Sequence, residues 1–299
     1  IVDGVRMNNA IYRTGHLQNI LTIDKSVIDQ IEIIHGSNST LYGTDALGGI
    51  IDIRTADPFR QRPIEKPLTV LLGSQFNSAF NSFNNNIKLN YGNDKIAGLT
   101  AVSYNKSGDL IQGGNYKNQE TEVWKRNEYI ERVNNEDIIQ NNPNPNAQIY
   151  SGYTQIDILQ KLNWRPNATT THGVNLQYSN SSDIPRYDRL TDRRNGALRW
   201  AEWYYGPQKR LLTSYTFEKQ INGIADLLTV NLNYQKIQES RFQRAFQNIN
   251  RQSRIEDLNI FGYSIDASKK LNNRNKFQIG TDAQLNFLNS TAYYLNIMN

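Results

Sequence analysis

The stretch "IHGSNSTLYGTDALGGIIDIRT", residues 34–55, decides how this chain is read. Its four glycines, Gly36, Gly43, Gly48 and Gly49, fall between two apolar runs, residues 31–34 and 50–53. A glycine-rich turn between strands is a common cradle for phosphate, because bare backbone N–H groups can approach an anion closely. That chemistry needs Gly-x4-Gly-Lys-Ser/Thr or G-x-G-x-x-G. Neither spacing occurs here, and no lysine lies between Lys25 and Lys66. The glycines therefore read as backbone devices. Residues 31–34 are expected to form a buried strand, Gly36 a turn, "STLYG" a short helical turn closing on Gly43, and Gly48 and Gly49 the start of a second strand over 50–55.

Residues 1–57 have the texture of a small mixed α/β unit. In the segment that follows, "ADPFRQRPIEKP", Pro58, Pro63 and Pro67 break helix and ladder alike, which places a linker over 58–67. From residue 68 to 299 the pattern has period two. "LLTVNLNYQK" puts Leu228, Val230, Leu232 and Tyr234 on one face and Thr229, Asn231, Asn233 and Gln235 on the other. "KFQIGTDAQLNF" opposes Phe277, Ile279, Ala283, Leu285 and Phe287 to Gln278, Asp282, Gln284 and Asn286, and "FNNNIKLNY" opposes Phe83, Ile87, Leu89 and Tyr91 to Asn84, Asn86, Lys88 and Asn90. Ile156, Ile158, Leu162 and Trp164 share a face, as do Val174, Leu176 and Tyr178; around Val102 the alternation is ambiguous.

About eight or nine strands are expected over 68–299. Short polar turns at 91–95, 165–170 and 272–276 alternate with long connections at 107–149 and 180–207. Short turns at one end and long loops at the other is the layout of an outer-membrane barrel. A soluble β-sandwich also alternates, but its strands are usually shorter and its polar faces carry more Lys and Glu than Asn and Gln.

Composition agrees with a barrel that has one hydrophilic face. The 299 residues are 38% hydrophobic with a mean hydropathy of −0.66, and no run of about 20 apolar residues exists to make a transmembrane helix. Tyrosine leads the aromatics, 17 against 10 Phe and 4 Trp, which suits strands and the membrane–water boundary. A net charge of +5 comes from interspersed basic and acidic residues, so no nucleic-acid partner is indicated. With no cysteine, disulfide frameworks, CxxC redox sites and cysteine zinc sites are excluded.

Beyond these patterns, "IDQIEIIHGSNSTLYGTDALGGIIDIRT" resembles the plug-domain signature of TonB-dependent outer-membrane receptors, in which a strand of the type "ERIEVLRGP" leads to "LYGS-A-GGVINIITK". "VDGVRMNN" resembles the preceding plug strand ending in Asp-Gly. The resemblance covers residues 1–57 and implies a structural plug motif of Asp3, Gly4, Gly36, Tyr42, Gly43, Gly48 and Gly49. One departure is His35-Gly36-Ser37 in place of Arg/Lys-Gly-Pro, which exchanges a stiff turn and a constant charge for a titratable ring. "NNAIYRTGHLQN", "IPRYDRL" and "AEWYYGPQKRLL" further resemble a Bacteroidetes-type subgroup that includes haem and haemoglobin receptors.

The fold class so implied is mainly β: a partial transmembrane antiparallel β-barrel preceded by a small mixed α/β plug fragment. Family barrels close with about 22 strands, so the chain reads as an excerpt lacking the signal peptide, the segment that meets TonB and the remaining strands. The resemblance implies a Gram-negative outer membrane, lipid around the barrel, and TonB-ExbB-ExbD as the energy-transducing partner. It also implies a receptor rather than an enzyme, and no resident cofactor, haem entering only as cargo. In the family, the segment corresponding to residues 6–19 rises to the external face of the plug. Its Arg6, Tyr12, Arg13 and His16 become candidate ligand contacts, with His16 a candidate haem ligand.

In the loop at 180–207, Arg186 and Tyr187 with Arg189, Arg193 and Arg194 suit an anionic ligand; the competing reading pairs the arginines with Asp183, Asp188 and Asp192. "WAEWYYG", residues 200–206, reads as an aromatic girdle in preference to a ligand-stacking surface. His172 is expected at the periplasmic end in a structural role and His35 inside the plug, and three scattered histidines support no metal cluster. Vitamin B12 or an oligosaccharide is the alternative cargo. From another class, an outer-membrane or secreted hydrolase would use Glu202 with Asp188 or Asp192, though no spacing specifies the pair.

Overall fold

The computed structural model describes residues 1–7, 11, 22–36, 42–43, 46, 48–58, 67–113, 125–221 and 223–298. A single-turn 3-10 helix, Lys25–Val27, is capped by Asp24, whose carboxylate accepts from the Ser26 N–H at 2.8 Å. It leads into β1 (Ile28–His35), which pairs antiparallel with β2 (Gly49–Thr55). Then come β3 (Leu68–Asn77), β4 (Ser82–Gly92) and β5 (Ile96–Ser107). The first long connection holds β6 (Leu110–Ile111), the hairpin β7 (Glu128–Val133) and β8 (Glu136–Asn141), and β9 (Ala147–Gln148). β10 (Tyr153–Asn167) and β11 (Thr170–Ser181) follow. The second long connection holds β12 (Ile184–Pro185), α1 (Tyr187–Leu190), β13 (Arg193–Arg194), β14 (Ala197–Leu198) and β15 (Trp200–Tyr205). The chain continues through β16 (Lys209–Gln220), β17 (Leu227–Ala245), β18 (Asn250–Lys270) and β19 (Lys276–Asn296).

Nine long strands, β3, β4, β5, β10, β11, β16, β17, β18 and β19, form one antiparallel meander in that order, with β3 and β19 at its edges. β15 pairs with the far end of β17, beyond the reach of β16, and extends the wall on the long-loop side. The fold is therefore one long antiparallel meander packed against a small N-terminal unit, and among the described residues its edge strands β3 and β19 do not pair with each other.

The alternation sorts the faces as the sequence pattern requires. Leu72, Ile87, Ile156, Leu162, Val174, Leu232, Phe261 and Phe287 are exposed on the lipid side. Asn90, Asp157, Lys161, Asn175, Gln177, Ser214, Asn231 and Gln235 are buried on the lumen side beneath the plug. β5 explains its own ambiguity: Ala97, Leu99 and Ala101 face inward and are buried, with Leu99 and Ala101 packed on Val27, Ala56 and Leu159. A strand apolar on both faces has no period-two signal to read. A second small core joins Ile11 of the plug to Ile237, Leu258 and Ile260 of the wall.

Two expectations are corrected. The strand at 31–34 is not buried: Ile31 and Ile33 are 52% and 62% exposed. β2 is the covered member of the pair, because the N-terminal segment bridges Ile53 through Val2, while no described residue closes over the apolar side of β1. Residues 200–206 are not a lipid-facing girdle either. Trp203 is buried beneath the Arg186 guanidinium at 5.0 Å and edge-on to Tyr205, and Tyr204 stacks on Phe242 at 4.9 Å. This segment pairs with β17 and packs the external loop. The aromatic belt lies at the short-turn end, where Trp164 stacks on His172 at 4.9 Å, His172 Nδ1 meets the Tyr215 hydroxyl at 2.8 Å, and Phe217 lies 5.2 Å away.

Candidate functional site

One plug carboxylate gathers several polar contacts from the wall. Val2 and Val5 exchange two backbone hydrogen bonds of 2.9 Å, and the two residues between them, Asp3 and Gly4, have φ of 47° and 77°. Two consecutive positive φ values make a tight primed turn, which Asp-Gly accommodates best. The turn aims Asp3 at the barrel. Its Oδ1 accepts from the Thr55 N–H at 2.8 Å. Its Oδ2 accepts from Thr55 Oγ1 at 2.7 Å, Asn175 Nδ2 at 2.9 Å and Gln177 Nε2 at 2.8 Å, with Lys161 Nζ at 3.1 Å. Lys161 also donates to the Thr55 carbonyl at 3.1 Å. Lys161, Asn175 and Gln177 are each under 10% exposed, so this is a charged, desolvated latch between plug and wall.

Below the latch, toward the short-turn end, a cavity of about 780 Å³ separates plug from wall. Arg6, Asp52 and Arg54 line it from the plug, and Asn231, Ser264 and Gln284 from the wall. Arg6 reaches the wall through its backbone, its carbonyl accepting from Gln235 Nε2 at 3.1 Å and Gln284 Nε2 at 3.2 Å. Tyr42 and Gly43 of the motif also line the cavity. Gly36 donates its N–H to the Gly48 carbonyl at 3.3 Å where β1 and β2 join. Gly49 has φ of 142°, and a Cβ there would lie 2.5 Å from the Ile34 carbonyl oxygen, so only glycine lets the two strands close.

The predicted ligand residues do not gather at one described site. Tyr12, Arg13 and His16 lie outside the described residues. Arg6 is in the cavity wall, and Arg186 and Tyr187 are in the external loop at the start of α1. Arg186 forms a double-donor pair with Asp188, donates to the Tyr205 hydroxyl at 3.1 Å and caps Trp203. The Arg186 hydrogen bonds hold the Asp188 carboxyl below its ordinary value, against partial burial. Arg189 pairs with Asp192, and Arg193 reaches Glu128 of β7. These contacts follow the ion-pairing reading of the loop. The carboxylates considered for hydrolysis are likewise engaged with arginines, Glu202 with Arg244 at 2.7 Å and Arg251 at 3.7 Å.

Sequence reasoning missed the strongest of these contacts. Asp137 of the β7–β8 hairpin is fully enclosed and pairs with Arg244 of β17, itself 1% exposed, at 2.6 and 2.9 Å. It also accepts from Arg132 at 3.1 Å and the Gln247 N–H at 2.8 Å. This network pins the hairpin to the top of the wall.

Residues 1–50 match the model of the TonB-dependent Receptor Plug Domain. The N-terminal residues thus belong to the plug-domain family, and the strands that follow share the fold of outer-membrane barrels. Residues of this chain are 39% identical over 61 positions to the vitamin B12 transporter BtuB of Vibrio vulnificus (strain YJ016), covering 20% of this chain and 10% of that one. They are 40% identical over 57 positions to the Hemin receptor of Yersinia enterocolitica, covering 19% and 8%. Among solved structures, the copper transporter OprC superposes on 100% of this chain and 40% of its own, with a TM-score of 0.69 and 14% identity, a likeness of fold. The chain thus spans well under half the length of these relatives. The two sequence matches are of nearly equal strength, so they separate no ligand from another.

Proposed function

We propose that this receptor takes up a scarce ligand actively across the outer membrane, with haem or an iron chelate as the preferred cargo. The observation that carries the reading is the Asp3 latch: a plug fastened to the lumen wall by buried charged hydrogen bonds must be moved before anything of ligand size passes. The motive partner in this reading is TonB-ExbB-ExbD. The plug spans 1–57, a linker 58–67, and the barrel strands 68–299. In this reading cargo is contacted by Tyr12, Arg13 and His16, together with Arg6 of the cavity wall and Arg186 and Tyr187 of the long loop. Haem is preferred because His16 offers an imidazole and Arg13 a partner for propionates, and because a Hemin receptor is among the relatives. The Bacteroidetes-type wording of three segments supports the same choice. No resident cofactor is required, haem being cargo.

The test is growth of a deletion strain on haem, on ferric chelates and on vitamin B12 as separate limiting nutrients, complemented by the wild-type gene or His16→Ala. Loss of growth on haem alone, restored by wild type and not by His16→Ala, is expected. Loss on vitamin B12 alone would replace haem with the corrin as cargo. Unchanged uptake of every ligand would remove the uptake reading itself.

A further inference from the structure

The latch has a second aspect, seen from the wall. Three side chains that are 7 to 9% exposed, Lys161, Asn175 and Gln177, direct their donors onto a single oxygen, Asp3 Oδ2, at 3.1, 2.9 and 2.8 Å. They come from neighbouring strands, β10 and β11, whose ladder fixes their spacing independently of the plug. Beside them on β16 stands Arg210, 2% exposed. Its Nη1 donates to Gln177 Oε1 at 3.3 Å, while its Nε and Nη2 have no hydrogen-bond partner among the described residues. A buried guanidinium with two unused N–H donors is costly unless something supplies oxygen to it. Its counter-charges are Asp3 and Asp157, acting at electrostatic range, and Asp157 is already held by Gln155. One cation and two amides converging on a single carboxylate oxygen, with a second buried cation beside them, is the donor set of an oxyanion pocket.

We propose that Lys161, Asn175, Gln177 and Arg210 form a carboxylate-binding site on the barrel wall, which Asp3 of the plug fills at rest and which opens to carboxylate-bearing small molecules when Asp3 withdraws. Asp3 is then a tethered occupant, and its withdrawal leaves two buried cations facing the lumen. The claim goes beyond uptake and does not depend on which cargo is carried.

The experiment uses the purified full-length receptor in detergent with fluoroacetate as probe and fluoroacetamide as the neutral control, read by fluorine NMR line broadening. Asp3→Gly vacates the site while keeping the positive φ that position needs; Asp3→Ser serves if the glycine variant does not assemble. Saturable broadening of fluoroacetate is expected in the vacated receptor and none in wild type, where Asp3 occupies the pocket. Adding Lys161→Gln or Arg210→Gln weakens that binding by about tenfold or more, the effect of losing one charged hydrogen bond. Equal broadening in wild type, equal broadening by fluoroacetamide, no broadening in a vacated receptor whose plug keeps wild-type protease resistance, or indifference to both added substitutions would each overturn the proposal. Because the probe reads the site directly, failure here is distinct from failure to import haem.

Discussion

Asp137→Ala should release the β7–β8 hairpin from the barrel without unfolding the wall. The substitution removes two hydrogen bonds to Arg244, at 2.6 and 2.9 Å, one to Arg132 and one to the Gln247 N–H. Arg244 keeps Glu202 at 2.7 Å and the Asn248 carbonyl at 2.8 Å. Breaking a buried pair costs about 3–5 kcal/mol, and the two surviving acceptors put this case at the lower end, about 3 kcal/mol. At about 1.4 kcal/mol per factor of ten, hairpin opening becomes roughly a hundred times more frequent. Amide hydrogen exchange on the full-length receptor reads this directly: the amides of Glu131 and Ile138, a hydrogen-bonded pair of the hairpin, should lose about two orders of magnitude of protection, while Leu232 and Tyr234 in β17 keep theirs. Unchanged exchange in the hairpin, or equal acceleration in β17, would refute the reasoning. The pH dependence follows. Burial pushes the Asp137 carboxyl up, but hydrogen bonds from Arg244 and the Gln247 N–H outweigh it and leave the value depressed. A depressed folded pKa gives stabilisation that is complete above the unfolded value of about 3.9 and is lost as pH falls through the folded one. Hairpin protection in the wild type should therefore be flat from about pH 5 to 8 and decline only below about 4.

Three further outcomes are expected. Gly49→Ala places a Cβ 2.5 Å from the Ile34 carbonyl at a φ of 142°, a strain of about 1–3 kcal/mol, and should make the plug more sensitive to protease in the assembled receptor while leaving barrel strands intact. Leu232→Arg on the lipid face should destabilise the barrel by about 2–4 kcal/mol in urea titrations from lipid vesicles, whereas the adjacent lumen-side Asn231→Ser should cost far less. Trp164→Ala removes the ring stacked on His172 and should lower stability in vesicles by about 1–3 kcal/mol, with a smaller loss in the His172→Ala background if the two act as one belt.

Period-two alternation made the barrel legible wherever one face was oily and the other amide-rich, as at Leu228 to Gln235. It failed at β5, where the plug core on Leu99 and Ala101 replaces the polar face. Local ion pairs were legible too: Arg186 with Asp188 and Arg189 with Asp192 are two and three residues apart. Arg244 with Asp137 was not, because 107 residues separate them and only loop closure over the wall brings them together. The same limit hid the latch. Asp3 was readable as an Asp-Gly turn, yet its partners Asn175 and Gln177 lie 172 and 174 residues away. The available signal was the alternate placement of Asn175 and Gln177 opposite the oily Val174 and Leu176, which put amides on the lumen side without saying what they meet.

The composition of that lumen face bears on how a plug can be both held and released. Most of the wall beneath it is neutral amide and hydroxyl, such as Asn90, Ser103, Asn231 and Gln235, groups whose hydrogen bonds contribute only about 0.5–1.5 kcal/mol each and which water can satisfy as soon as the plug lifts. Lys161 and Arg210 differ, because a buried cation that loses its counter-charge costs several kcal/mol until an anion or water replaces it. Asp3 accordingly concentrates the holding energy at one point while the rest of the interface is cheap to wet. If so, Lys161→Met should loosen the plug at rest, and in the Lys161→Met receptor Asp3→Asn should add less further protease sensitivity than in wild type, because the one cation bonded directly to Asp3 is already gone. Fully additive effects of the two substitutions would mean that plug retention is spread evenly over the wall.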